Sequence, residues 1–155
     1  ISAEEIDQAR REAWANFPRE DIDAWRDTDT HALIWYLLDS PRLSAPASAL
    51  FETCRTAGSR VGVSSISIAE IIYLMEKGRI PSVTLPLLEE SLSEQPALLE
   101  IIPITHAVAL AIQRVSRQQV PDLPDRLIAA TALHLGVPLI SRDRKIQLAD
   151  VETIW

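Results

Sequence analysis

Four carboxylates stand where a parallel α/β chain places its chemistry: Asp29, Glu70, Asp125 and Asp143. Asp29 precedes the first apolar helix, and Glu70 comes one turn after a strand rich in Val and Ile. Asp125 opens a helix, and Asp143 closes a short apolar strand. In an open parallel sheet, ligands bind outside the carboxyl ends of the strands, which is where these positions fall. Four acids gathered there repel one another unless a cation neutralises them. A metal held in such a cluster lowers the pKa of a bound water and stabilises the attacking and leaving oxygens at phosphorus. Each acid alone also reads as local structure. Ser67 and Glu70 have capping-box spacing, Asp29 and Asp125 suit helix starts, and Asp143 suits a turn. Convergence therefore follows from the fold and not from the spacing.

The elements that must position these acids are legible as apolar patterns. Residues 3–17 form an amphipathic stripe of Ile6, Ala9, Ala13, Trp14 and Phe17, with Ser2 and Glu5 as a capping box and Pro18 as a stop. From Thr28 the chain turns apolar nearly all round, as a buried helix does. A second helix is expected over 46–57, ending at Gly58. Residues 60–68 read as a strand, 69–79 as a helix and 84–94 as another. Residues 98–104 read as a strand, 105–118 as a helix, and 125–135 as a helix stopped by Gly136. Residues 137–143 and 151–155 read as short strands. Strands alternating with helices, without hairpin turns, predict an α/β fold with a mainly parallel central sheet flanked by helices.

Composition narrows the chemistry. At 155 residues and 47% hydrophobic content, the chain is long enough for one domain with a real core. No apolar run approaches the roughly 18–20 residues of a membrane span, and no signal-peptide pattern opens the chain, so a cytoplasmic protein is expected. Cys54 is the single cysteine and reads as a buried apolar group. With three histidines and no zinc-type spacing, a metal would rest on carboxylates, which points to a hard cation such as Mg²⁺ or Mn²⁺. The net charge of −7 weighs against extended duplex binding. Residues 1–27 carry eight acids and four arginines, and the rest carries fourteen acids and eleven bases. With four acids around a metal, that remainder is about +1, compatible with a compact, metal-bridged nucleic-acid site.

Four segments also occur in a recognisable order: Asp29-Thr30-His31-Ala32-Leu33-Ile34-Trp35, Ala69-Glu70-Ile71, Asp125-Arg126-Leu127-Ile128-Ala129-Ala130-Thr131-Ala132, and Ser141-Arg142-Asp143-Arg144-Lys145-Ile146. Over 28–155 the chain resembles PIN-domain ribonucleases, and within them the VapC-type toxins of type II toxin–antitoxin pairs. That resemblance implies a PIN-like fold in which Asp29, Glu70, Asp125 and Asp143 hold Mg²⁺ or Mn²⁺, assisted by the hydroxyls of Thr30 and Ser141. It implies cleavage of RNA, often a transfer or ribosomal RNA, silencing by a cognate antitoxin, and a homodimer. Arg126, Arg142, Arg144 and Lys145 neighbour the acids and are candidates for phosphate contact.

Two departures from the family pattern stand out. Asp122-Leu123-Pro124-Asp125 places proline later than the Asp-Pro step common in the family, which makes Asp122 a less certain participant. Residues 23–28 also make a poor central strand, because they are mostly polar. The expected division is therefore 1–27, an N-terminal amphipathic helix and acidic tail that is either an ordinary helix packed on the domain or an antitoxin-like segment, and 28–155, the PIN domain. His31 reads as a packed, hydrogen-bonded residue at the helix start, His106 and His134 as ordinary helix residues, and Trp35 as core. Two rival readings are a non-catalytic PIN-like module that binds RNA or a partner, and a haloacid-dehalogenase-like phosphatase built on Asp27-Thr28-Asp29-Thr30.

Overall fold

The computed structural model describes residues 2–5 and 25–155. Five strands form one sheet in the order β3-β2-β1-β4-β5, and every pairing is parallel. The strands are β1 (Arg26–Thr28), β2 (Val61–Ser64), β3 (Leu99–Ile102), β4 (Leu139–Ile140) and β5 (Thr153–Ile154). Between β1 and β2 run α1 (Thr30–Leu37) and α2 (Ala45–Ala57), and between β2 and β3 run α3 (Ser65–Glu76) and α4 (Thr84–Ser93). The crossover from β3 to β4 holds α5 (His106–Ala111), a 3₁₀ turn over Ile112–Arg114, and α6 (Leu123–Leu135). A short α7 (Arg144–Gln147) joins β4 to β5.

Helices cover both faces, so consecutive strand residues bury on opposite sides. Val61, Val63 and Ile140 pack with Leu33, Phe51, Ile71 and Leu88. Leu139 packs on the other side with Ile128, Ala129, Ala132 and Ile146. The stops act as expected at α2 and α6, where Gly58 and Gly136 take left-handed caps at φ 70° and 68°. Cys54 is buried and free. Among the described residues no helix is long and apolar enough to cross a membrane.

Three local expectations change. The strand expected over 60–68 ends at Ser64, whose hydroxyl accepts from the Ile66 N–H and starts α3 within the same serine-rich run. The helix expected over 105–118 is shorter, tightening into the 3₁₀ turn and ending at Arg114. Arg26 and Asp27, assigned by pattern to the N-terminal segment, belong to β1, the central strand. Its backbone explains how so polar a strand holds. Arg26 N–H donates to Arg60 O (3.3 Å), Asp27 N–H to Pro138 O (3.0 Å) and Asp29 N–H to Ile140 O (3.1 Å). Of the N-terminal helix, residues 3–5 are helical and the Ser2–Glu5 capping box is formed, at 2.9 and 3.1 Å. The remainder of that expected helix lies outside the described residues.

Candidate active site

The carboxyl edge of the sheet gathers the acids from four elements. Asp29 leaves β1 and caps α1, its Oδ1 accepting the Ala32 N–H at 2.8 Å. Asp143 follows β4 by three residues and caps α7, with Oδ1 accepting the Lys145 N–H at 2.8 Å. Asp125 sits in the first turn of α6. Glu70 lies in α3 and does not cap Ser67 as its spacing suggested, because Ser67 is already inside the helix. Its Oε1 instead accepts from the Thr30 hydroxyl at 2.7 Å, across to α1. The local-structure reading thus holds for Asp29 and Asp143 and fails for Glu70.

Electrostatics show the acids facing one another. Burial raises the Asp29 carboxyl above its usual range, and the nearby charge of Asp143 adds to this. Bonds from the Ser141 hydroxyl and the Ala32 N–H oppose it. Glu70 is raised by burial and by the charges of Asp122 and Asp29, against the Thr30 bond and the charge of His31. Asp125 is pushed up to about 7, first by burial, then by Asp122, Asp143 and Glu70. Two residues weighted lightly in the sequence therefore belong to this edge. Asp122 is the N-cap residue of α6, yet its carboxyl makes no cap bond and pairs with Asp125. Its i, i+3 spacing from Asp125 was the available signal. His31 is exposed, and its charge eases both Asp29 and Glu70.

The remaining candidates separate by their bonds. Ser141 is fully buried and its Oγ accepts the Asp143 N–H at 3.0 Å, so one hydroxyl touches the first and last acids. Thr30 is buried between Glu70 and Ser67. Arg126, expected at phosphate, is committed elsewhere. Its Nε and Nη2 donate to Val115 O at 3.3 and 2.9 Å, and Nη2 donates to Ile112 O at 3.1 Å, tying down the 3₁₀ turn. Arg142, Arg144 and Lys145 are exposed around Asp143. The Arg142 guanidinium lies over the Trp35 ring at 5.9 Å, and Trp35, half-buried at the core edge, also meets His31 and Trp155 at 5.8 and 5.6 Å.

The donor set is all oxygen and acidic, which is the chemistry of a site for a hard divalent cation. As the side chains lie, no three His, Cys, Asp or Glu groups among the described residues are close enough to grip one ion. Asp29, Glu70 and Asp125 nonetheless each feel the charge of a neighbouring carboxylate, which adds to the effect of burial. Clustered carboxylates repel one another unless a cation neutralises them. The set fits such an ion in donor type and number.

Comparison with known proteins agrees with this fold. Residues 28–152 match the PIN domain family. The chain is 32% identical over 122 residues to Ribonuclease VapC22 of Mycobacterium tuberculosis, covering 77% of this chain and 87% of that protein. The fold superposes on a chain of VapBC2 from Rickettsia felis bound to a promoter DNA fragment, with a TM-score of 0.62 and 18% identity, covering 83% of this chain and 96% of that one. It also superposes on FitAcB from Neisseria gonorrhoeae, with a TM-score of 0.57 and 25% identity, covering 83% and 95%. Fold, ordered acids and family match lead to one assignment: this chain belongs to the PIN-domain family.

Proposed function

We propose that the protein is a divalent-metal-dependent endoribonuclease, the toxin of a toxin–antitoxin pair. The observation that carries this reading is the acidic edge, where Asp29, Glu70 and Asp125 are raised first by burial and then by neighbouring carboxylates, at the carboxyl ends of β1 and β2 and the start of α6. Such strain is useful only if something positive is bound there. In this reading Asp29, Glu70, Asp125 and Asp143 hold Mg²⁺ or Mn²⁺, with Asp122 as a fifth acid. Bound there, the ion supplies an activated water and charge neutralisation at phosphorus. Thr30 and Ser141 fix the carboxylates through their hydroxyls. Arg142, Arg144 and Lys145 meet RNA phosphates beside Asp143, while Arg126 serves the fold.

The relative named a ribonuclease supports RNA as substrate, and the solved VapBC2 complex supports a partner protein acting as antitoxin. A homodimer, a transfer or ribosomal RNA substrate and a cytoplasmic site of action complete the proposal. Against it stand the phosphatase reading, which needs Asp27 as an accessible nucleophile, and Asp27 is fully buried.

Purified protein, freed of any bound partner, is expected to cleave structured RNA with Mg²⁺ or Mn²⁺ and to stop in EDTA. The Asp29→Ala, Asp125→Ala double variant is expected to lose at least about 100-fold in rate, the scale of several kcal/mol of charge stabilisation. Cleavage that persists in EDTA, or in the double variant, would overturn the metal mechanism. Partner binding without any cleavage would favour the non-catalytic module.

A further inference from the structure

We propose that Ser67 is a positioning residue for Glu70, acting through the hydroxyl of Thr30; the role rests on the nuclease reading above. Ser67 lies one helical turn before Glu70 in α3 and is fully buried. It is therefore not a solvent-facing serine. Thr30, on α1 beside Asp29, places its Oγ1 2.9 Å from Ser67 Oγ and 2.7 Å from Glu70 Oε1.

Proton counting sets the direction of the chain. A threonine hydroxyl has one proton and two acceptor lone pairs. The carboxylate is the stronger acceptor and the shorter contact, so the Thr30 proton goes to Glu70. The Ser67 hydroxyl then donates to Thr30 Oγ1. A buried hydroxyl left without its partner costs free energy, so the three groups hold one another in place. The relay leaves α3 at Ser67, crosses to α1 at Thr30, and returns to α3 at Glu70. It fixes the Thr30 rotamer, and through it the direction in which Glu70 presents its other oxygen. Ser67 touches neither ion nor substrate. It acts only on the geometry of a residue that does.

Outer partners of metal-holding groups typically change affinity by about 10- to 100-fold. The test is Mn²⁺ binding by calorimetry on the full chain, with urea unfolding of each variant as the control for folding. Ser67→Ala is expected to weaken Mn²⁺ about tenfold with little change in urea midpoint, and Ser67→Cys, a poor donor of similar size, to fall between it and the wild type. In a Thr30→Val background, Ser67→Ala is expected to add less than about twofold, because the relay is already cut. Unchanged affinity in Ser67→Ala and Ser67→Cys would overturn the relay while leaving the nuclease reading intact. So would losses that multiply fully in the double variant. A wild-type protein that binds no Mn²⁺ would overturn both.

Discussion

Strands β1 and β2 lie side by side in register, yet they are built from opposite materials. Val61–Ser64 is buried and mostly apolar, and hydrophobic patterning alone finds it. Arg26–Thr28 is charged, three residues long and central, and patterning argues against it. What holds β1 is the ladder offered by β2 and β4, not its own side chains. A strand held by its neighbours is free to carry acids, and β1 delivers Asp29 to the site. The cost shows at Asp27. Burial lifts its carboxyl well above the usual range, against a bond from the Thr28 N–H, and Oδ2 has no hydrogen-bond partner.

The neighbour makes room for that acid. Gly62 pairs with Asp27 across the ladder, and a Cβ there would stand 3.0 Å from Ile102 Cγ1 and 3.1 Å from Asp27 Oδ1. Gly62→Val therefore crowds the side chains of Ile102 and Asp27 at once. It is expected to cost about 1–3 kcal/mol, read as a lower urea midpoint, the largest stability effect predicted here. An unchanged midpoint would mean that β1 is not packed against β2 as described.

A smaller effect of opposite sign is expected at the acidic edge. The Asp125 carboxyl titrates near 7 in the folded chain, against an ordinary value of 3.8. Because the folded value is raised, its contribution to stability is full below about pH 4 and is lost as pH rises through about 7. Asp125→Asn should therefore raise the melting temperature of metal-free protein at pH 8, with the gain disappearing towards pH 4. The same variant is expected to lose RNA cleavage, read with Mg²⁺ or Mn²⁺ present. A gain that is equal at both pH values, or a loss at pH 8, would contradict a carboxyl raised by burial and its acidic neighbours.

The contrast between the strands also explains what the sequence could reveal. Apolar β2, the glycine stops of α2 and α6, and the order of the four acids depend on local pattern and were legible. β1 was not, because its place comes from pairing with strands 35 and 112 positions away, a non-local cause. At the site, Asp29 and Asp143 were legible as caps and acids alike. The real partner of Glu70 was hidden, since Thr30 lies 40 residues earlier while the capping-box reading was only three residues away. Arg126 is a case of the same kind: adjacency to Asp125 suggests phosphate, whereas its bonds reach back to Val115 and Ile112.

In the proposed reading these carboxylates hold divalent metal between them. A crystal structure of the protein grown with Mn²⁺, with data collected at the manganese absorption edge, tests it directly. The account predicts an anomalous peak within roughly 2.3 Å of carboxylate oxygens from at least three of Asp29, Glu70, Asp125 and Asp143. No peak at this edge under saturating Mn²⁺, or a manganese held elsewhere, would contradict it.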